Sequence, residues 1–213
     1  VLVPLWNSLT AAQRKALSPA LDEYLMIQKF NADRGFAHTN KANVMMHQGK
    51  FKEAELAYLT SIRIDPYFAN AYVNLADLYR QQKKQTESID VLKQGAEAIP
   101  DNGSLFFSIG LAYIRKQQSV EASTYLQKAT EVDPNNAHFH YVYGLSLEQN
   151  DSQKAQIATR KAYEVGGNPQ HLYALCEMQI RYNAFQAKQC VNEFSKVGPK
   201  DAVMALEGLF RRN

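Results

Sequence analysis

Few side chains in this chain combine reactive chemistry with a useful spacing. Of its five histidines, His138 and His140 are two residues apart, which on a helix turns the rings to different sides rather than onto one metal. His47 and His138 fall on one proposed surface but several turns apart. A zinc site takes about four ligands in tight pairs, and Cys176 and Cys190 are too few and too far apart to supply them. No serine–histidine–acid order has supporting context, and no glycine-rich phosphate loop follows a strand. Gly166-Gly167 reads as a helix terminator. Glu53, Glu55 and Glu87 fall on outward helix faces, where carboxylates are solvated. We therefore expect no catalytic residues, no metal and no cofactor, and a chain that is not an enzyme.

What the spacing does specify is a scaffold. In residues 69–100, Tyr72, Leu75, Ala76 and Tyr79 recur at the i, i+3, i+4, i+7 interval of an amphipathic helix. After a polar Gln/Lys turn, Ile89, Leu92, Ala96 and Ile99 do the same, and Pro100 ends the run. Pro66, Pro100 and Pro134 recur at one constant interval, and a fixed period of that length marks a stack of repeated units. Small residues mark where paired helices approach: Ala42 with Ala54, Ala76 with Ser88, Gly110 with Ala122. Gly144 and Ala155 are one residue closer together, so a shortened turn is expected there. Gly49, in the turn HQGK, supplies the freedom that ends a helix.

Upstream, Thr10 is a good N-cap for a short helix ending at Leu17, and Ser18-Pro19 reads as the start of another. Tyr24, Ile27 and Phe30 of that helix precede Tyr58, Ser61 and Ile64 by the same interval that separates the prolines, as in a worn repeat. The apolar opening holds the single tryptophan, Trp6, and reads as packing or as a surface for self-association. Downstream, helices over 170–181 and 184–195 form a weaker hairpin. A final helix turns Val203, Leu206 and Phe210 inward, with Arg211 and Arg212 complementing its C-terminal dipole.

Composition narrows the partners. The net charge of +3, from 24 basic and 21 acidic side chains, is too small for a general polyanion binder, so nucleic acid is not expected. No apolar run approaches the roughly 18 residues of a membrane span. The chain begins at Val1 without a basic-then-apolar leader, and we read it as an excised domain or processed product.

Tyr72-x-x-Leu75-Ala76-x-x-Tyr79 with Leu92 and Pro100 resembles the tetratricopeptide repeat. So does Phe106-x-x-Ile109-Gly110-x-x-Tyr113 with Ala122, Leu126, Ala129 and Pro134. His38, Lys41 and Thr159 depart from the pattern where the family favours larger apolar groups. The resemblance implies an all-α, right-handed α-solenoid of antiparallel helix pairs. Residues 1–34 would be a degenerate repeat or capping helices. Four repeats would occupy 35–168 (35–68, 69–102, 103–136 and 137–168), and 169–213 a degenerate fifth hairpin plus a C-terminal capping helix.

In such a solenoid the first helix of each pair lines a concave surface, to which register assigns Phe36, Thr39, Asn40, Asn43, Asn70, Asn74, Asp77 and Arg80. It also assigns Phe107, Leu111, Ile114, Arg115, Tyr141, Val142, Leu145 and Glu148. Asn40, Asn43, Asn70 and Asn74 could hold a peptide backbone, since an amide both donates and accepts; in this family asparagines at the places of Asn43 and Asn74 often do so. Phe107, Leu111, Tyr141 and Leu145 could receive large side chains. The alternative is that the asparagines are merely solvated and the aromatics pack between repeats. A groove of the kind that clamps a terminal carboxylate is disfavoured, because Thr39, Ser104 and Ser108 stand at the places of its cations. Arg80 and Arg115 could still attract an acidic ligand.

Cys176 and Cys190 are symmetric about residue 183, so antiparallel helices would bring them side by side. Either they are bridged, which would imply an oxidising compartment, or they are buried free thiols. The run from QKFNADRGFAHTNKANVMMHQGKFKEAELAY onward is also similar to the C-terminal repeat segment of bacterial multi-haem cytochromes, although no Cys-x-x-Cys-His sequence is present. The expected function is a non-catalytic scaffold for a protein or peptide partner. The alternative is a docking domain of a larger periplasmic cytochrome or other enzyme.

Overall fold

A computed structural model describes residues 10–31, 34–182 and 184–212. Trp6 and the proposed self-association segment lie outside them, as do the side chains of Tyr24, Ile27 and Phe30. The described residues form twelve helices and no strands. The chain divides into two compact units, Val1–Leu78 and Tyr79–Asn213. The first contains α1 (Ala11–Asn31), α2 (Gly35–His47), α3 (Phe51–Ile64) and most of α4 (Ala69–Gln81). The second contains α5 (Gln85–Ala98), α6 (Gly103–Arg115), α7 (Ser119–Val132), α8 (Ala137–Leu147) and α9 (Ser152–Gly166). It ends with α10 (Pro169–Tyr182), α11 (Ala184–Phe194) and α12 (Lys200–Arg212).

Helix starts follow side-chain chemistry. Thr10 and Gln13 form a reciprocal capping box: Thr10 Oγ1 accepts from the Gln13 N–H at 3.3 Å, and Gln13 Oε1 accepts from the Thr10 N–H at 2.9 Å. Asn102, Asn136 and Asp151 cap α6, α8 and α9 by accepting backbone N–H groups. The helix that Thr10 opens does not stop at Leu17. It runs on through Pro19 for 21 residues, because the backbone angle that the proline ring imposes suits a helix and its missing N–H removes one bond from a long ladder.

Within a pair the turn repeats. Gly49, Lys83 and Gln117, at the same place in successive pairs, all have positive φ: 74°, 61° and 58°. The N–H groups of the residues that follow them, Lys50, Lys84 and Gln118, reach back to Met45 O, Tyr79 O and Tyr113 O at 2.9, 2.9 and 3.0 Å, the closure of a Schellman motif. In the fourth pair the missing residue comes out of the helix rather than the turn. α8 has 11 residues where α6 has 13, and its connection to α9, residues 148–151, is one residue longer than the 116–118 connection between α6 and α7.

Close packing depends on small residues. A Cβ added at Gly144 would meet the Ala155 carbonyl oxygen at 3.0 Å and the Thr159 hydroxyl closer still. Thr159, fully buried, donates to Ala155 O at 2.8 Å, so a polar residue at an apolar place is satisfied by its own helix. The C-terminal core joins Leu172, Leu175, Ile180, Ala187, Val191 and Phe194 to Leu206 of α12, with Val203 and Phe210 packed on it. The outer face of α12 is not wholly polar: Met204 is 65% and Leu209 40% exposed. Cys176 and Cys190 form a disulfide between α10 and α11, Cα–Cα 5.4 Å.

Two outcomes test this account. Replacing Gln117 by Gly, which relieves a side chain held at φ 58°, should raise unfolding free energy by up to ~1 kcal/mol in urea titrations. Closing a 14-residue separation is worth about 3 kcal/mol, so C176S/C190S should destabilise the second unit by about 2–4 kcal/mol, and reductant should do the same to the native chain.

Candidate peptide-binding surfaces

In the first unit the asparagines are not equivalent. Asn40 and Asn70 are exposed, whereas Asn43 and Asn74 are half-buried on α2 and α4. Asn74 Nδ2 donates to Asn43 Oδ1 at 3.1 Å, and the Tyr58 hydroxyl, from α3 beneath, donates to the same oxygen. With both acceptor sites of Asn43 Oδ1 engaged, the orientation of that amide is set. Its Nδ2 and the Oδ1 of Asn74 are left as a donor and an acceptor of defined direction, the complement of a peptide group. Burial, and next the Asp77 carboxylate, push the Tyr58 phenol above its usual pKa, keeping it a donor. Asp77 itself is exposed.

Thr39 does not belong to this surface. It is buried, its hydroxyl 2.8 Å from Ser61 Oγ, which in turn donates to Gly35 O at 2.6 Å. The short Thr39 side chain finds its partner below, on α3, rather than outward.

In the second unit the aromatic residues are engaged with one another. Phe107 on α6 stacks on Phe139 of α8 at 4.7 Å and lies 5.2 Å from the His138 ring. Tyr141 stacks at 4.7 Å on His171 of α10, a buried ring whose Nδ1 has no hydrogen-bond partner among the described residues. All five of these first-helix rings thus serve inter-repeat packing, and Phe107 and Tyr141 remain half-buried. Leu111 is half-buried and Leu145 is 41% exposed. Ile114, Val142 and Leu145 line a hollow of about 550 Å³ with Gln117, Ser146 and Glu148. Arg80 and Arg115 are exposed at the ends of α4 and α6, and Glu148 pairs with Arg181.

Sequence reasoning missed Tyr58 and His171, the residues that hold Asn43 and Tyr141 from behind. Leu92 and Leu126 occupy the place of Tyr58 in the next two repeats. A hydroxyl where other repeats place leucine was the available signal.

Residues 57–90 and 103–136 each match a tetratricopeptide repeat family model. The chain carries tetratricopeptide repeats. It is 28% identical over 102 residues to a peroxisomal targeting signal receptor of Eremothecium gossypii, covering 46% of this chain and 18% of that protein. It is 29% identical over 195 residues to human protein O-mannosyl-transferase TMTC3, covering 83% and 21%. The chain therefore spans about a fifth of the length of these relatives.

Among solved structures, YrrB, described as a TPR protein with an unusual peptide-binding site, superposes with TM-score 0.62 at 19% identity, over 87% of this chain and 97% of that one. Pseudomonas aeruginosa pilF superposes with TM-score 0.63 at 16% identity, over 97% and 95%. The fold is the all-α repeat solenoid that these proteins share.

The repeat's buried tyrosine offers a direct test. Tyr58→Phe removes one donor to Asn43 and should cost about 1 kcal/mol at neutral pH. The folded-state pKa of Tyr58 is raised, so its contribution is complete below about pH 10, the unfolded value, and is lost as pH climbs through the folded value. The stability gap between wild type and Y58F, followed by urea denaturation, should narrow only above about pH 10.

Proposed function

We propose that this chain is a non-catalytic scaffold that captures an extended segment of a protein partner on its first-helix surfaces. The Asn43–Asn74 pair carries this reading. Two amides locked to each other and to a buried tyrosine offer one donor and one acceptor without demanding a particular sequence. The half-buried rings of Phe107 and Tyr141 and the hollow beside Leu145 supply places for apolar side chains. The likeness to YrrB, whose own description names a peptide-binding site, and to a targeting-signal receptor supports the same reading. In the first unit Asn40, Asn70 and Asp77, and in the second Arg80, Leu111 and Arg115, share the first-helix register and tune affinity rather than carry it.

A second reading has its own support. Since curated relatives place similar segments within proteins about five times as long, the chain also suits a docking domain that works within a larger polypeptide, such as an enzyme or a periplasmic cytochrome. The disulfide favours an oxidising compartment for either role.

A pull-down with the whole chain, followed by calorimetry on the recovered partner, tests the first reading. Asn74→Ala should weaken binding roughly fivefold, the equivalent of one hydrogen bond, and Phe107→Ala at least tenfold. Unchanged affinity in both variants would remove the proposal.

A further inference from the structure

A larger concavity lies elsewhere in the second unit and uses none of the first-helix residues assigned above. It is a cleft of about 720 Å³, within the ~300–1,000 Å³ typical of ligand sites. Its floor is α10, through Leu175, Gln179 and Tyr182, and its walls are α9 and α11. Gln153 and Gln156 stand on one wall, Gln186 and Gln189 on the other. The disulfide ties the floor to the α11 wall, and the Arg160–Glu193 ion pair, at 2.7 and 2.8 Å, joins α9 to α11.

Gln179 is the informative residue. It is 7% exposed. Its Nε2 donates to Gln186 Oε1 at 3.4 Å, but its Oε1 has no hydrogen-bond partner among the described residues. A buried acceptor left unpaired costs roughly 1–3 kcal/mol, and the terminal torsion of glutamine is soft enough to present that oxygen to a donor entering the cleft.

The charges argue against an ionic occupant: Arg160 is neutralised by Glu193, and Lys161 is offset by Glu164 one turn along the same lining. What remains is five carboxamides, each a donor and an acceptor, with apolar surface from Ile157 and Tyr182. An extended backbone presents N–H and C=O groups alternately on two opposite edges and side chains alternately up and down. That pattern fits carboxamide walls on both sides, with Ile157 and Tyr182 beside them for apolar side chains.

We propose that this glutamine-lined cleft is a second binding site, for an uncharged, extended polypeptide segment whose edge amides pair with Gln153, Gln156, Gln186 and Gln189 and whose N–H satisfies Gln179.

The test is an NMR titration of the ¹⁵N-labelled whole chain with a capped hexapeptide of alternating threonine and valine, neutral and prone to extension. The side-chain amide signals of the five glutamines should move saturably with the peptide, and maltohexaose, a neutral polyol, should leave them in place. The surface variant Q156A/Q189A should weaken the peptide at least fivefold with its helical circular dichroism intact, and Q179L should do likewise. Asn74→Ala, which tests the first-unit surface, should not affect this titration. Glutamine signals unmoved by the peptide, moved equally by maltohexaose, or an unchanged affinity in Q156A/Q189A would each overturn the proposal.

Discussion

The distance at which the two helices of a pair can approach governs this molecule. It is set where one helix offers almost no side chain. A methyl group built on Gly110 would fall 2.6 Å from Leu126 Cγ and 3.3 Å from the Ala122 carbonyl, closer than packed atoms come. At Gly144 the Thr159 hydroxyl is nearest, and behind it stand the Ala155 carbonyl and the Thr159 N–H at 3.0 and 3.1 Å, backbone that cannot swing aside as a leucine can. Ala42, Ala54, Ala122 and Ala155 are fully buried although an alanine carries little apolar area. Their contribution is closeness: they let the larger residues beside them, such as Tyr58, Leu75, Ile109 and Leu126, reach across and exclude water. Given that spacing, the first-helix side chains that do not fit inside are left as the surface available for binding.

Much of this was legible because it is periodic. One left-handed residue closes the turn in each of the first three pairs, and the chain places glycine there once, at Gly49, and tolerates lysine and glutamine at Lys83 and Gln117. What could not be read were places where local rules yield to context. Pro19 should end a helix by its own chemistry, yet its backbone angle is helical and the ladder continues around it. Thr39 falls on the outer register, but a hydroxyl partner at Ser61 draws it inside. The residue deleted from the fourth repeat could leave either a turn or a helix. α8 gives up two residues and the connection gains one, and the longer connection ends on Asp151, which caps α9.

The candidate surface was read less completely than the fold, for a physical reason. Register identifies which residues leave the core, not which of those are bound to one another. Asn43 and Asn74 are far apart in sequence and meet only because α3 supplies Tyr58 between them. Phe107 and Tyr141 fall on the same register but spend part of their area on Phe139 and His171. Stacking of this kind contributes about 0.5–1.5 kcal/mol beyond area burial. It also holds the rings still, so a partner meeting them loses less side-chain entropy than it would in ordering loose ones.

The fifth hairpin shows how the stack ends. Its cleft-facing positions carry glutamines, and a carboxamide contributes little to apolar burial, whereas a buried leucine would contribute about 1.5–3 kcal/mol. α11 is also short, at 11 residues. A covalent link spanning 14 residues contributes about 3 kcal/mol, the equivalent of one or two buried leucines. It does so without filling the space between α9 and α11. A core residue would have stabilised the hairpin by closing that space, whereas the disulfide stabilises it from within, at the α10–α11 contact, and leaves the polar cleft open. Stability and a concave polar surface are thereby held together at the end of the stack where ordinary repeat packing would allow only one of them.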